Sequence, residues 1–210
     1  MIKARRKRPV RRGPAQDDKT LVVLAGPNGA GKSTFWEAYV KPLGITFVNA
    51  DQIAREMNRK DPSAIAYDSA KAADGERRSL VSAGVSFCME TVFSDPHGDK
   101  VEFLREAQRL GYAVILIYIG LQAPELCLAR VVQRVASGGH DVPDDKNLAR
   151  YPRSLKNLAE AVEFVDRTYL FDNSSVDEPF RHLATFARGQ MISRAEAVPA
   201  WASGVCSGRG

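Results

Sequence analysis

Short apolar stretches alternate with longer amphipathic stretches along most of the chain. The apolar stretches at 20–25, 45–48, 85–89, 112–119 and 168–171 predict five β-strands. The run at 112–119 is continuously apolar and rich in β-branched residues, as is typical of a strand buried on both faces of a parallel sheet. Strands that alternate with helices predict an α/β fold in three layers, whose central sheet is mostly parallel and has about five strands.

The segments between these strands carry helical patterns. Helices are predicted at 33–40, from 52 onward, at 63–83, 98–110, 124–136 and 152–166, and Asp51 can cap the second of them. Residues 138–150 are polar and rich in glycine, which predicts a loop, and together with the helices beside it this loop is interpreted as a lid. Residues 180–186 fit either a further strand or a helix.

The two ends of the chain differ in composition from its middle. Of the 30 basic residues, seven lie within 1–13, which leaves 23 against 25 acidic residues in the rest of the chain. We therefore expect a basic, disordered arm over 1–18, a folded domain over 19–190 and a flexible tail over 191–210, where alanine, serine and glycine accumulate. The arm is either a solvated tail or a weak binder of polyanions.

Several classes of protein are disfavoured by composition. No apolar run reaches the length of a membrane span, and the basic amino terminus has no apolar stretch behind it, so we expect a cytoplasmic protein. Cys88, Cys127 and Cys206 fit neither the spacing of a zinc site nor a disulfide framework, and we expect them to be reduced.

The clearest motif is a glycine-rich turn between the first strand and the first helix. Its residues are Gly26, Pro27, Asn28, Gly29, Ala30, Gly31, Lys32 and Ser33, followed by Thr34, and they match G-x-x-x-x-G-K-[ST]. In this motif backbone N–H groups surround phosphate oxygens, Lys32 reaches the β- and γ-phosphates, and the Ser33 hydroxyl suits Mg²⁺. The sequence therefore predicts that residues 26–34 bind ATP, with Mg²⁺ as the cofactor.

Other classes of P-loop protein lack support in the remaining sequence. A transporter ATPase needs an apolar strand that ends in Asp-Glu soon after its signature loop, whereas residues 141–150 are polar. A GTPase needs an Asn-Lys-x-Asp motif, which the sequence does not contain. A small-molecule kinase remains, and the alternative is a regulatory or nucleic-acid-associated ATP-binding protein with slow turnover.

Polar residues that follow the second and third predicted strands are candidates for contact with a phosphate acceptor. Asn49 and Asp51 follow the second strand, and Glu90 and Thr91 follow the third. Ligands gather at the carboxyl ends of parallel strands. Asp51 is placed to act as a general base on an acceptor hydroxyl, although it could serve only as a helix cap. Glu90 is expected to face Mg²⁺ or the acceptor, or else to pair with an arginine.

Arginines lie on both sides of the expected lid. Arg130 and Arg134 precede it, and Arg150 and Arg153 end it or follow it. Guanidinium groups match the oxygens of a phosphoryl group in transfer, so Arg134 and Arg150 are candidates for a catalytic clamp. The alternative is that each of them is an ordinary solvated side chain. His140 is interpreted as a hydrogen-bonding residue of the loop.

The order of these motifs resembles the zeta-toxin family of P-loop kinases. The motifs are GPNGAGKST at 26–34, NADQIARE at 49–56, METVFS at 89–94, the RVxxRV, GGHDVP and ARYPRSLKNL segments within 130–158, and YLFDNSS at 169–175. The resemblance extends from residue 20 to about 188 and implies a kinase that phosphorylates a hydroxyl of UDP-N-acetylglucosamine.

The resemblance also implies roles for individual residues. By position, Lys32 and Ser33 would hold phosphates and Mg²⁺, Asp51 would be the base, and Arg134 and Arg150 would clamp ATP. Glu90 and Thr91 would contact the acceptor. Any antitoxin would be a separate chain.

Overall fold

A sheet of seven strands forms the centre of the computed structural model, which describes residues 19–58, 62–136 and 144–207. The strands are β1 Thr20–Ala25, β2 Thr46–Val48, β3 Phe87–Thr91, β4 Ala113–Gly120, β5 Arg167–Asp172, β6 Arg181–Ala187 and β7 Gln190–Arg194. Their order across the sheet is β2-β3-β1-β4-β5-β6-β7, and the first five strands in this order are parallel. The predicted α/β fold is confirmed, and the antiparallel strands β6 and β7 extend the expected sheet.

Helices connect the strands and cover the sheet. They are α1 Lys32–Phe35, α2 Ala50–Met57, α3 Ala66–Ala83, α4 Asp99–Arg109, α5 Pro124–Ala136, α6 Asp144–Val162 and α7 Ala200–Cys206. A π-helical turn at Trp36–Val40 and a 3-10 turn at Lys41–Leu43 continue α1, and a 3-10 turn at Pro62–Ile65 leads into α3.

Alternate side chains of β1 enter two different clusters of the core. Leu21 and Val23 belong to the cluster that also contains buried residues of α3, α4, α6 and α7, whereas Val22 and Leu24 belong to the cluster that contains residues of α1 and α5. This alternation is what a strand buried on both faces requires. The three-layer arrangement of the predicted fold follows from it. No helix in the described part of the chain is long and apolar enough to cross a membrane.

The prediction of a loop over 138–150 is wrong for residues 144–150. Helix α6 begins at Asp144 and continues through Pro152 to Val162. A proline inside a helix costs about 3 kcal/mol, but α6 packs into the core through Tyr151, Leu155 and Leu158. Burial of these side chains therefore outweighs the cost of the proline. The rest of this loop, including His140, and the basic arm over 1–18 lie outside the described residues.

The prediction of a flexible tail over 191–210 is wrong for residues 191–207. Residues up to Arg194 form β7, and α7 packs on the core with Trp201, Ala202 and Cys206 buried. Burial of an indole contributes a large apolar area, which compensates for the low helical preference of the surrounding serine and glycine. The apolar spacing of 201, 202, 205 and 206 is the signal that the composition of this segment concealed.

The third strand also ends later than its sequence predicts. Glu90 and Thr91 are the last two residues of β3 rather than the first residues after it. They pair in register with Leu24 and Ala25 of β1, the residues that directly precede the phosphate loop. The end of β3 therefore lies beside the start of that loop.

Candidate functional site

The glycine-rich turn connects β1 to α1 and is packed closely against β4 and the segment after β5. Gly26 has a φ of 142°, and a Cβ atom there would lie 2.1 Å from the carbonyl oxygen of Ile119. Gly31 has a φ of 90°, and a Cβ atom there would lie 2.6 Å from Nδ2 of Asn173. Both positions therefore need glycine for conformation and for space. This geometry is the tight backbone turn that the motif predicts.

Lys32 points back into the turn. Its Nζ donates hydrogen bonds to the carbonyl oxygens of Gly26 at 3.0 Å and Pro27 at 3.1 Å, and its side chain is 6% exposed. Burial lowers the pKa of Lys32, Glu90 and Asp51 oppose this effect, and Arg134 adds to it. The ammonium group therefore lies within the electrostatic field of three of the predicted site residues.

Glu90 is the point at which the ends of three strands meet. Its Oε1 lies 3.8 Å from Nζ of Lys32, and its Oε2 accepts hydrogen bonds from Oγ of Ser33 at 3.3 Å and Nδ2 of Asn49 at 2.8 Å. The basic partner of Glu90 is therefore Lys32, not the arginine that the alternative interpretation expected. A hydroxyl and a carboxylate that face each other at this distance are oxygen ligands of the kind Mg²⁺ prefers, so the side chains present fit this ion.

The residue that caps α2 is Asn49. Its Oδ1 accepts hydrogen bonds from the backbone N–H groups of Asp51 at 2.8 Å and Gln52 at 3.1 Å. The expectation that Asp51 caps this helix is therefore wrong. Asp51 instead lies in the first turn of α2, where its carboxylate is exposed and stabilises the charged forms of Lys32 and Arg150.

Thr91 shapes the turn after β3. Its Oγ1 accepts a hydrogen bond of 3.0 Å from the backbone N–H of Phe93, a buried residue with a φ of 59°. Helix α6 holds the same turn from the other side. Ser154 donates to the carbonyl oxygen of Val92 at 2.8 Å, and Nδ2 of Asn157 donates to that of Phe93 at 3.1 Å. Sequence reasoning missed Ser154 and Asn157, although their spacing places them on one face of a helix.

Helix α6 also contacts the nucleotide side of the site. Oδ1 of Asn147 accepts a hydrogen bond of 2.7 Å from Nδ2 of Asn28 in the phosphate loop, and the hydroxyl of Tyr151 donates to the carbonyl oxygen of Leu121 at 2.7 Å. The helix that carries Arg150 is therefore connected both to the phosphate loop and to the turn after β3.

Two of the predicted arginines lie in the electrostatic neighbourhood of Lys32 and Asp51. Arg134 is exposed near the end of α5, and its charge lowers the pKa of Lys32. Burial lowers the pKa of Arg150, the neighbouring charge of Arg153 lowers it further, and Asp51 opposes both effects. The fold thus gathers Lys32, Asp51, Arg134 and Arg150 from four separate helices.

A cysteine borders the phosphate loop without the properties of a nucleophile. A Cβ atom at Gly29 would lie 2.9 Å from the carbonyl oxygen of Cys127, so α5 passes directly beneath the loop. Burial raises the pKa of Cys127 to about 11. The thiol is therefore neutral at physiological pH, and this residue serves packing.

Comparison with known proteins places the chain in a family. A family model described as an AAA domain (AAA_33) matches residues 21–159. An uncharacterised protein of Haemophilus influenzae is 31% identical over 130 residues, which cover 62% of this chain and 91% of that protein.

Solved structures share the fold at low sequence identity. The AvrRxo1-ORF1:AvrRxo1-ORF2 complex with sulphate ions has a TM-score of 0.64 at 18% identity, over 86% of this chain and 62% of the other. A structure of the same complex with ATP has a TM-score of 0.58 at 19% identity, over 84% and 60%. The PezAT toxin-antitoxin system of Streptococcus pneumoniae has a TM-score of 0.54 at 17% identity, over 77% and 70%. This chain spans less than two thirds of the AvrRxo1 chain that it matches.

Proposed function

The chain belongs to the AAA domain family (AAA_33). Because its phosphate loop lies in a kinase-like fold, we propose that it is an ATP-dependent kinase. The kinase transfers the γ-phosphoryl group to a hydroxyl of a small-molecule acceptor. The observation that carries this proposal is the convergence of Lys32, Ser33 and Asn49 on the carboxylate of Glu90. Phosphoryl transfer depends mainly on positioning and charge, and this cluster offers both at the ends of adjacent parallel strands.

The phosphate loop binds ATP, the phosphoryl donor of the proposed reaction. Its backbone N–H groups and the ammonium of Lys32 hold the phosphates of ATP, and the arginines from α5 and α6 contact oxygens on which negative charge spreads during transfer. Ser33 and Glu90 would hold Mg²⁺, which when bound neutralises phosphate charge. The charge of Arg134 acts on Lys32 and that of Asp51 acts on Arg150, so both arginines are assigned to the clamp.

Asp51 is assigned as the general base on the acceptor side. Asn49 caps α2, so the exposed carboxylate of Asp51 is not engaged as the cap. In the proposed step the acceptor oxygen forms a bond to the γ-phosphorus, the bond between that phosphorus and the bridging oxygen of ADP breaks, and the hydroxyl proton passes to Asp51.

The first acceptor to test is UDP-N-acetylglucosamine, which the motif order of the chain suggests. Asn49, Asp51, Glu90 and Thr91 are the residues assigned to acceptor contact. The Thr91 hydroxyl accepts from the Phe93 backbone and still has its own proton to donate. A separate antitoxin chain belongs to the same proposal, since the PezAT structure with the same fold is described as a toxin-antitoxin system.

The experiment is an acceptor screen with ATP labelled at the γ-phosphate. The purified protein is incubated with Mg²⁺ and a panel of nucleotide sugars, free sugars and other alcohols, and Lys32→Ala serves as the matched inactive control. We expect label to pass to one class of acceptor only with the unaltered protein. Nucleotide binding without transfer to any acceptor would contradict the kinase and favour a regulatory ATP-binding protein.

A further inference from the structure

Asn173 joins the phosphate loop to the segment that follows β5. It is the first residue after that strand and is 8% exposed. Its Nδ2 donates a hydrogen bond of 2.9 Å to the carbonyl oxygen of Ala30, and its Oδ1 accepts one of 3.2 Å from the backbone N–H of Phe180. Its own backbone N–H donates to the carbonyl oxygen of Gly120 at 3.0 Å. All three contacts are made to backbone groups.

The contact with Ala30 fixes the orientation of one peptide plane in the phosphate loop. In a planar trans peptide the carbonyl oxygen and the following N–H point in opposite directions. Because the Ala30 oxygen points toward Asn173, the N–H of Gly31 points away from it. Backbone N–H groups of this loop are the donors that surround phosphate oxygens in the motif. The side chain of Asn173 therefore sets the direction of one of these donors.

Helix α7 holds Asn173 in place from behind. Nε1 of Trp201 donates a hydrogen bond of 2.9 Å to Oδ1 of Asp172, the residue before Asn173. The indole ring also covers Gly120, because a Cβ atom there would lie 2.3 Å from Cζ2 of Trp201. Trp201 thus contacts both the neighbour of Asn173 in the chain and the residue that accepts its backbone N–H.

We propose that Asn173 is a positioning residue of the phosphate loop, and that Trp201 supports it from α7. This inference rests on the proposed nucleotide site and adds a residue and a helix from outside the phosphate loop to it. It also assigns a purpose to the DNSS end of the YLFDNSS motif and to the carboxyl-terminal helix.

The test compares two buried asparagines whose side-chain amides donate to carbonyl oxygens of different loops. Asn173→Asp places a carboxylate oxygen against the Ala30 carbonyl, and Asn173→Ser removes the contact without adding charge. The matched control is Asn157→Asp, because Asn157 is 4% exposed and donates to the carbonyl oxygens of Phe93 and Asp95 in the turn after β3. Affinity for ATP with Mg²⁺ is measured by titration, and the melting temperature of every variant is measured in parallel.

We expect both Asn173 variants to bind ATP about 5-fold to 150-fold more weakly than the unaltered protein, since a buried donor-acceptor contact is lost. Asn157→Asp should keep an ATP affinity within about 2-fold of that of the unaltered protein, even if its melting temperature falls as much as those of the Asn173 variants. Trp201→Phe, which keeps an aromatic ring but loses the indole N–H, should also weaken ATP binding, by a smaller factor.

Three outcomes separate this inference from the function on which it rests. ATP affinity that is unchanged in both Asn173 variants would overturn the positioning role and leave the kinase proposal intact. An equal loss of ATP affinity in Asn157→Asp would show a general effect of destabilisation and would also overturn it. An unaltered protein that binds no nucleotide would overturn the proposed function, and the inference would fall with it.

Discussion

Nδ2 of Asn49 donates a hydrogen bond of 2.8 Å to Oε2 of Glu90, while Oδ1 of the same side chain caps α2. One amide group therefore connects the end of β2, the start of α2 and the end of β3. Since Asp51 lies in the first turn of α2, this connection also sets the position of the proposed base relative to Glu90. The relationship is testable because the contact with Glu90 can be removed either alone or together with the helix cap.

Asn49→Ser should separate capping from the contact with Glu90. Serine caps helices about as well as asparagine, so the stability of the protein should change little. Its side chain is too short to reach Glu90, so that contact is lost. Phosphate transfer should fall because Glu90 loses its amide donor. Asn49→Ala removes both contacts and should lower the free energy of unfolding by about 1 kcal/mol more than the serine variant. Denaturant unfolding and transfer assays on both variants check this, and equal stability of the two would contradict the capping assignment.

The lowered pKa of Lys32 predicts a pH dependence of nucleotide affinity. The free side chain has a pKa of about 10.4, and burial lowers the pKa of Lys32 in the fold. Phosphates favour the charged form, so ATP affinity should fall as the pH rises through this lowered pKa, below the usual range for lysine. As the pH rises through the lowered pKa, Lys32 loses its proton in the folded protein, and the cost of burying its charge disappears. The free energy of unfolding of the ATP-free protein should therefore rise over the same pH interval.

Titration of ATP binding between pH 7 and 10 measures this effect. Lys32→Met, which has a similar length and no charge, is the control and should bind weakly without this pH dependence. A wild-type affinity that stays constant over the whole interval would show that the pKa of Lys32 remains normal.

The arginine clamp predicts that the shape of the cation matters as well as its charge. Arg134→Lys and Arg150→Lys keep the charge and lose the planar fork that contacts two phosphate oxygens at once. Turnover should fall by roughly 10-fold in each variant, the equivalent of about one charge-assisted hydrogen bond. Steady-state rates with saturating ATP check this. Full activity in both lysine variants would remove these residues from the clamp.

Asp166 provides a test of stability far from the proposed site. Its carboxylate accepts hydrogen bonds from the Val114 backbone at 2.9 Å, Gln108 at 2.9 Å and Arg188 at 2.7 Å. Asp166, Gln108 and Arg188 line a cavity of about 320 Å³ at the amino ends of β4 and β5, away from the phosphate loop. Burial alone would raise the pKa of Asp166, but the three donors outweigh it and the pKa is lowered.

The stabilisation from Asp166 should therefore be complete at neutral pH and should disappear as the pH falls through its lowered pKa, below about 3.9. Asp166→Ala should lower the free energy of unfolding at pH 7 by about 1.5–3 kcal/mol, the range for hydrogen bonds to a charged group, and should leave ATP affinity unchanged. Unfolding at pH 7 and at pH 3 measures both effects. A similar stability of the two proteins at pH 7 would contradict the role of the carboxylate.

The parallel part of the sheet could be predicted from sequence because each of its strands is a short apolar run between clear breaks. The pattern at 180–186 left a strand and a helix open, and the structure has the strand β6 there. Strand β7 and helix α7 could not be predicted. All five residues of β7 are exposed, so this strand lacks an apolar face, and α7 depends on tertiary burial of Trp201 in a segment of low helical preference. Local pattern carries no information about a contact made 29 residues away, as between Trp201 and Asp172.

The candidate site shows the same division. The phosphate loop has a local signature, because the turn itself requires glycines and the lysine at fixed spacing. The supporting residues Asn147, Ser154, Asn157 and Asn173 have no such signature, since each acts on a loop that is distant in sequence. The exchange of Asn49 for Asp51 as helix cap has another cause. Both residue types cap helices well, and only the backbone geometry decides between them.

The most direct test of the kinase mechanism is the paired measurement of ATP affinity and phosphate transfer in Asp51→Asn. Asparagine has the same size and cannot accept the hydroxyl proton, and Asn49 keeps the helix capped. Base catalysis contributes typically ~10²–10⁴-fold, so transfer to the acceptor should fall within that range while ATP affinity barely changes. An equal loss of affinity and transfer would assign Asp51 to Mg²⁺ or to structure, and unchanged transfer would contradict the mechanism.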